Sequence, residues 1–382
     1  MWSWAATTIT GMRILAAVLA VTASCLALGA SARELVVGQL VDYSGKHGEE
    51  SRDFVAGAKV YFDAMNARAG ATGLRVRHVV LDLAGKEAET PARIRELVDE
   101  RKVDVLFGFV GDEAVAAAAR DESIRSGSIA LVGPLSGIDA PADAVGIRFT
   151  RPNYGAEIRQ VLGHFRSLQV TRFGVVCGDD ERGSRVAEAV ERELKRQGLT
   201  ASGIHRLAHV DAPAAAQLDA MQRSGAQALI VVADTVPVAE FIKRYRARDA
   251  NTMVVTLSTA NHRTLFEVLG PALAHGVMIT QVVPNPNVPD SPLLKEYLDA
   301  MRTFRDEPPS HVSLEGFVAA KTLMEVVGRA GPAPTREAIS RVAQHTGRID
   351  LKGLVVDLSR DARNAAPYVD LAMIRRNGSL LQ

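Results

Sequence analysis

The sequence has few aromatic residues, only two cysteines and no surplus of charge of either sign. Aromatic residues make up 5% of its 382 positions, and 45 Lys+Arg stand against 44 Asp+Glu. Balanced charge provides no basic surface for nucleic acid or an anionic membrane, and scarce aromatics argue against a base-stacking platform. The remaining composition, 47% hydrophobic, is that of an ordinary globular protein. The length suggests two domains, each large enough for its own core.

Catalytic motifs are also missing. No G-x-G-x-x-G follows an apolar strand, and the sequence contains no P-loop, G-x-S-x-G, H-E-x-x-H or C-x-x-C motif. Its nine histidines are scattered without metal-ligand spacing. Cys177 ends a predicted buried strand and is expected to be a structural thiol. We therefore expect a protein that is not an enzyme, with no cofactor and no metal.

Residues 1–32 are typical of a signal peptide. They carry a single charge, Arg13, followed by an apolar run over Ile14–Val21. Ala30-Ser31-Ala32 fits the small-x-small pattern of a cleavage site, which places cleavage after Ala32. An uncleaved membrane anchor is the alternative, because the apolar stretch approaches spanning length. From the signal-peptide pattern we predict export to the periplasm.

Two details of this segment stay open. Met12 is a more typical start than Met1, and Cys25 raises the possibility of a lipoprotein, although Leu is missing before it. Removing residues 1–32 leaves 350 residues with 44 basic against 44 acidic side chains, so the exported product is formally neutral. It also leaves Cys177 as its one cysteine, so no internal disulfide can form.

After Ala32, short apolar runs alternate with amphipathic stretches. The runs are rich in Val, Ile and Leu, as strands buried on both faces are. Predicted strands are Leu35–Leu40, Val76–Leu81, Val103–Phe107, Ile129–Val132, Phe173–Cys177, Gly203–Ala208, Ala228–Val232 and Met253–Leu257. Predicted helices include one over Phe54–Met65, one capped by Thr90, and Asn153–Ser167, Arg182–Gln197, Ala212–Arg223 and Val236–Arg248. This alternation predicts two doubly wound α/β units with parallel sheets and a cleft between them.

Several segments, in order, resemble the type I periplasmic binding proteins of ABC transporters, in the leucine/isoleucine/valine-binding protein family. The resemblance runs from about Leu35 to the C-terminus. The segments are Val37-Gly38-Gln39-Leu40 with Ser44-Gly45, Gly57-Ala58 through Asn66-Ala67, Val103 to Gly111, Gly133-Pro134-Leu135-Ser136-Gly137, Arg151-Pro152-Asn153-Tyr154, Cys177 to Gly183, Gln281 to Pro286, Ser313 to Ala320, and Leu351-Lys352-Gly353.

This resemblance implies two Rossmann-like lobes joined by a three-strand hinge. The first lobe would comprise residues 33–149 and 284–349, and the second 150–283 and 350–382. The crossings are expected near Phe149–Arg151, Thr280–Pro284 and Gly347–Leu351. The resemblance also implies a monomer that closes on a small-molecule ligand and is then recognised by an ABC permease in the inner membrane.

The ligand loops depart from the family pattern at Asp112 and Glu113. Relatives hold a ligand carboxylate at this helix N-terminus, where a small hydroxyl residue is usual, and an ionised Asp112 would repel it. One interpretation is a ligand that presents a cation or neutral donors to Asp112, or a ligand that is held chiefly by the other lobe. The other is that Asp112 caps the helix Glu113–Arg120.

Other candidates follow from the same resemblance. Tyr154 either enters the cleft or packs at a helix start, and Tyr43 and His47 either cover the ligand or lie in an exposed loop. The full set of predicted ligand-binding residues is Tyr43, His47, Asp112, Glu113, Leu135, Ser136, Gly137, Tyr154, Asp234, Thr235 and Ser258.

The predicted function is capture of a small polar organic ligand, such as an amino acid or an amide, for an ABC importer. The alternative is a periplasmic sensor that reports ligand occupancy to a membrane kinase or regulator. An exported enzyme is a third reading, but no nucleophile–base pair is visible in the sequence.

Overall fold

The computed structural model describes residues 34–70, 73–359 and 368–382. The predicted signal peptide and its cleavage site lie outside these residues. Within them, every helix is too short or too polar to cross a membrane. The described chain forms two lobes, each built on its own sheet with helices on both faces.

The first sheet has five parallel strands in the order β2-β1-β3-β4-β5. β5 was not predicted, because a two-residue strand gives almost no periodic signal. The strands are β1 Glu34–Val41, β2 Arg75–Asp82, β3 Val105–Phe107, β4 Leu131–Val132 and β5 Ile147–Arg148.

The second sheet has seven strands in the order β14-β13-β10-β9-β8-β6-β7. Strands β6 to β9 are parallel as predicted, and β10, which was not predicted, continues the parallel order. β13 joins β10 in antiparallel register and β14 completes that edge. The strands are β6 Phe173–Gly178, β7 Gly203–Leu207, β8 Ala228–Val232, β9 Met253–Thr256, β10 Met278–Gln281, β13 Asp370–Ile374 and β14 Leu380–Leu381.

The helices cover both faces of these sheets. The one over 90–95 begins at Thr90 with Glu89 as its N-cap, so the predicted Thr90 cap is wrong by one residue. The α-helices are α1 Gly48–Arg68, α2 Thr90–Arg95, α3 Asp112–Arg120, α4 Glu122–Arg125, α5 Tyr154–Ser167, α6 Glu181–Arg196, α7 Ala215–Arg223, α8 Thr235–Arg246, α9 His262–Ala274, α10 Pro292–Phe304, α11 His311–Arg329 and α12 Arg336–His345. The segments Glu87–Glu89 and Glu96–Glu100 flank α2 as a 3₁₀ and a π turn.

A short hairpin, β11 (Arg348–Asp350) with β12 (Val355–Asp357), lies beside the first lobe. Its apolar residues pack into the same core as α1, α10 and α11. Leu358 belongs to that core as well, whereas β13 joins the second sheet. We therefore propose that the first lobe continues to Leu358 and that the third crossing follows it.

Helices α1 and α11 cross with their backbones in contact. A Cβ atom at Gly57 would lie 1.7 Å from the carbonyl oxygen of Ser313, and one at Gly316 would lie 2.0 Å from that of Phe54. Both distances are far below van der Waals contact. The two glycines therefore fix how closely these helices of the first lobe approach.

Both sheets reverse their strand order at one point, between β1 and β3 in the first lobe and between β6 and β8 in the second. Loops at the carboxyl ends of strands next to such a point diverge and leave a crevice, where α/β proteins bind ligands. The two crevices face each other across the gap between the lobes.

Candidate functional site

Four loops at these strand ends supply the charged residues of the cleft. In the first lobe, β1 leads to the loop before His47 and β3 leads to Asp112. In the second lobe, β6 leads to Arg182 in the first turn of α6, and β8 leads to Asp234, the N-cap of α8. His47 and Arg182, which are 135 positions apart in the sequence, thereby come into contact.

Arg182 forms the centre of this cluster. Its Nε donates to Asp112 Oδ2 at 3.1 Å and its Nη1 donates to Asp234 Oδ1 at 2.8 Å. Its Nη2 lies 3.4 Å from both ring nitrogens of His47. Burial lowers the pKa of Arg182, but nearby negative charges, including both carboxylates, raise it well above the usual range. One guanidinium therefore ties Asp112 of the first lobe to the second lobe.

Asp112 is a bonded, buried carboxylate and not a helix cap. Ser136 Oγ donates to its Oδ1 at 2.6 Å, and the Tyr154 hydroxyl donates to its Oδ2 at 2.7 Å. The N-cap of α3 is Gly111, with φ of 100°. The interpretation of Asp112 as the cap is therefore wrong, and its charge is satisfied by two hydroxyl groups and Arg182.

His47 lies inside the cleft. Its side chain is 3% exposed, so the alternative of an exposed loop residue is wrong. Its Nε2 lies 3.7 Å from Glu113 Oε2, and Lys46 Nζ lies 2.7 Å from Glu113 Oε1. The His47 contact and the Lys46 ammonium hold the pKa of Glu113 well below its usual range, against the effect of burial. Glu113 is thus a paired carboxylate at the mouth of the cleft.

Two cavities border this cluster. The inner cavity, of about 20 Å³, is enclosed by His47, Glu50, Val110, Gly111, Asp112, Leu135, Arg151, Arg182, Ser258, Thr259 and Val312. The outer one, of about 210 Å³, lies between Lys46 and Glu113 of the first lobe and loops around Asp180 and Asp234 of the second. The inner cavity has room for about one water, since about 10–15 Å³ suffices for one. Arg182 joins the two lobes beside both cavities, and we call this arrangement closed.

Some of the other predicted ligand-binding residues lie at these cavities or beside the cluster, and others do not. Leu135 and Ser258 line the inner cavity, and Gly137 lies against the Tyr154 ring, where a Cβ would come within 2.3 Å of a ring carbon. Tyr43 and Thr235 are not among the residues that line these two cavities. Thr235 accepts a hydrogen bond from the Asn261 amide instead.

Two residues of the cluster were missed by sequence reasoning. Arg182 belongs to the segment that resembles the family, but it was treated as a helix start. Glu50 follows Glu49 in the first turn of α1, where acidic residues usually face solvent. No sequence signal marks either one as part of the cleft.

Glu50 is 6% exposed and lines the inner cavity. Burial raises the pKa of its carboxyl from 4.5 to about 7, against the opposing effect of His47. Glu50, His47 and Asp234 each place one potential metal-binding atom within 4.8 Å of the others. The Arg182 guanidinium contacts the same His47 and Asp234 atoms, so a positive charge already occupies this donor set.

A second arginine cluster lies deeper, near the first crossing between the lobes. Arg151 Nη2 lies 3.2 Å from Glu157 Oε1, and Arg151 Nη1 lies 3.5 Å from Glu315 Oε2. Arg151 also donates to Ser258, and Glu157 accepts a hydrogen bond from Thr280. Burial raises the pKa of Glu315 to about 7 although Arg151 lowers it.

The lobes touch again at the edge of the cleft. Arg263 donates to the carbonyl oxygen of Pro309, Thr264 donates to Glu49, and the ring centroids of His262 and His311 lie 5.6 Å apart. These contacts join the start of α9 to the starts of α1 and α11. They reinforce the closed arrangement away from the central cluster.

Cys177 lies buried in β6. Burial raises the pKa of its thiol to about 11, so the thiol stays protonated at neutral pH. This agrees with a structural residue and not with a thiolate nucleophile.

Comparisons with known proteins agree with this architecture. A family model described as periplasmic binding protein matches residues 34–378. A substrate-binding periplasmic protein from Ralstonia solanacearum is 29% identical, with a TM-score of 0.82 over 91% of this chain and 99% of that chain. Among curated proteins, no sequence matches this chain.

Two further solved structures share the fold. A possible leucine/isoleucine/valine-binding protein from Rhodopirellula baltica is 22% identical, with a TM-score of 0.83 over 92% of this chain and 97% of that one. A branched-chain amino acid ABC transporter protein from Thermus thermophilus, solved with bound valine, is 16% identical, with a TM-score of 0.78 over 92% of this chain and 95% of that one.

Proposed function

We propose that this chain, which belongs to the periplasmic binding protein family and shares its fold with a possible leucine/isoleucine/valine-binding protein, captures a small polar organic solute between its lobes for an ABC importer. The observation that carries the proposal is the contact of Arg182 with Asp112 across the cleft. Residues of both lobes meet there around buried polar groups, so closure and binding can be coupled.

In this proposal, the solute enters while the lobes are apart and contacts polar groups of both. Closure then surrounds the solute, and the energy of its contacts with the two lobes favours the closed form. The Arg182 contacts with Asp112 and His47 hold the lobes together in the closed form described here. Solute binding at the inner cavity must rearrange this cluster, because that cavity, of about 20 Å³, is too small for an amino acid.

We further propose that the protein is exported through a cleaved signal peptide, acts as a monomer in the periplasm, and delivers its solute unchanged to a permease in the inner membrane. The predicted contact residues His47, Asp112, Leu135 and Ser258 remain the proposed solute site. Glu50 and Arg182 are added to it because they border the same cavity.

A thermal-shift screen of small metabolites tests solute capture. The protein is unfolded and refolded first, which removes any solute carried through purification. A solute at about 100 times its Kd stabilises the protein by about 2.7 kcal/mol, a readily measured shift in Tm. Isothermal calorimetry of each hit then gives the stoichiometry, and one solute per chain is expected. If amino acids, amides, amines, organic acids and sugars all leave Tm unchanged, solute capture is rejected.

A further inference from the structure

Glu50 differs from Asp112, Asp234 and Glu113 in that only its own backbone N–H is hydrogen-bonded to its carboxylate. It is 6% exposed and lines the inner cavity beside Val110 and Leu135. Across residues 34–70, 73–359 and 368–382, no side chain donates a hydrogen bond to its carboxylate. Burying a charge without a partner is unfavourable. A group with this much unsatisfied capacity is suited to bind a ligand that brings the missing charge.

The neighbouring carboxylates already have partners. Asp112 accepts from two hydroxyls and Arg182, Asp234 accepts from Arg182, and Glu113 accepts from Lys46. This changes the sequence interpretation in which Asp112 meets a cation of the ligand. Asp112 has little capacity left for a ligand, whereas the Glu50 carboxylate accepts from its own backbone N–H and from no side chain.

The cations around the cavity are also shared. Arg182 lies between Asp112 and Asp234. Arg151 likewise lies between Glu157 and Glu315. Lys46 lies between Glu87 and Glu113. An anionic group would therefore find no uncommitted positive charge at these three side chains.

The net charge of the side chains around Arg182 favours a cationic ligand. Glu50, Asp112 and Asp234 place three carboxylates around the single guanidinium of Arg182. Donor atoms of Glu50, His47 and Asp234 lie within 4.8 Å of one another, so a small charged group near Glu50 also reaches the second lobe. An added positive charge gains from this excess, and an added negative charge is repelled by it.

We propose that Glu50 binds a protonated nitrogen of the solute, and that the solutes of this protein are small organic amines that need no carboxylate. The inference rests on the proposed capture of a solute between the lobes. It assigns the charge of that solute and the residue that selects it. The solute nitrogen, once bound, would complete an ion pair that also draws Asp234 toward the first lobe.

Calorimetry with chemically matched probes tests this assignment. The amines are 1,4-diaminobutane, ethanolamine and valinamide, and their uncharged counterparts are 1,4-butanediol, ethylene glycol and N-acetylvalinamide. We expect binding only among the amines. Replacing Glu50 by Gln should weaken that binding by about 10- to 100-fold, the effect of losing one charge-assisted hydrogen bond. The control Glu307→Gln removes an exposed carboxylate and should bind as the wild type does.

Several outcomes would overturn the assignment. Equal binding of the uncharged counterparts, or of an organic acid from the wider screen, would show that the cleft does not select a cation. Unchanged amine binding by Glu50→Gln would show that another residue holds the nitrogen. Stabilisation by Zn²⁺ or Mn²⁺ alone, lost in Glu50→Gln while amines do not bind, would make the cluster a metal site. None of these outcomes rejects solute capture itself. If no compound in the whole screen binds, both proposals are rejected.

Melting of the unliganded variant separates binding from folding. Since no side chain donates a hydrogen bond to Glu50, Glu50→Gln should melt at the wild-type temperature or above it at pH 8. A fall of several degrees would show that Glu50 supports the fold, and would overturn its assignment as a group reserved for the solute.

Discussion

Arg151 and Arg182 each lie between two carboxylates, one from each lobe, yet their surroundings differ. Arg151 and its partners are at most 6% exposed, Arg151 also donates to Ser258, and Thr280 donates to Glu157. Arg182 borders both cavities, and its partner Asp234 is 26% exposed. An arginine between two carboxylates can therefore be a permanent structural contact where protein surrounds it, as at Arg151. Where a cavity adjoins it, as at Arg182, its contacts can be exchanged for contacts with a solute.

Replacing Arg151 by Met should give the largest loss of stability. It would leave Glu157 and Glu315 buried without their cation, at a cost of about 3–5 kcal/mol. Urea denaturation followed by circular dichroism measures the difference. The control Arg302→Met removes a pair with Asp299 whose side chains are 73% and 72% exposed, and should change little. Equal effects of the two substitutions would mean that the Arg151 cluster is not a structural joint.

A pH dependence should distinguish Glu50 from the bonded carboxylates. Its pKa is 4.5 when exposed and about 7 in the folded cleft, so the folded state binds the proton more tightly. Stability from this group is complete below pH 4.5 and is lost as pH rises through 7. His47, Asp234 and Arg182 face Glu50 and contribute to this value.

The Glu50→Gln variant removes only this titration. Its stability relative to wild type should therefore increase between pH 5 and 8, by at most about 3 kcal/mol. Glu315 also titrates near pH 7, but it is present in both proteins and cancels in the difference. A difference that stays constant over this pH range would contradict the assigned titration.

Replacing Arg182 by Met should destabilise less than replacing Arg151. The lobes can separate and let water reach Asp112 and Asp234, so we expect a loss of about 1–2 kcal/mol. Small-angle X-ray scattering should show a larger radius of gyration, because a contact between the lobes is lost. If Arg182→Met is as destabilising as Arg151→Met and leaves the radius unchanged, the two clusters are equivalent joints.

Lys46 at the mouth of the cleft should give the smallest effect. It pairs with Glu113 and Glu87, but it is 39% exposed, and such pairs contribute about 0–1 kcal/mol. Lys46→Met should therefore lower the free energy of unfolding by less than about 1 kcal/mol, with a difference that shrinks in 1 M salt. A larger effect that persists in high salt would place this pair with the buried clusters.

The strands of both lobes were largely predictable, because continuous apolar runs such as Ala228–Val232 are typical of strands buried on both faces. The hairpin β11–β12 was not, since its three-residue strands carry no usable period. The antiparallel pairing of β13 was also missed. Strand direction in a sheet depends on the path of the chain and not on the residues of the strand alone.

The site was predictable only in part. The loops with His47, Asp112 and Ser258 were identified through the family resemblance, and the structure brings these three residues to one cavity. Arg182 and Glu50 could not be assigned, because their environment is created by the docking of the two lobes. Asp112 and Arg182 are 70 residues apart, and nothing local in either segment indicates that they pair.

The antiparallel strand β13 also determines when the second lobe can be completed. It pairs with β10 and carries β14 on its other side, and both belong to the last segment of the chain. A chain still being synthesised therefore presents β10 with one edge unpaired until β13 has been made. Completion of this sheet must wait for β13, which leaves an interval for the proposed export to begin before the protein is folded.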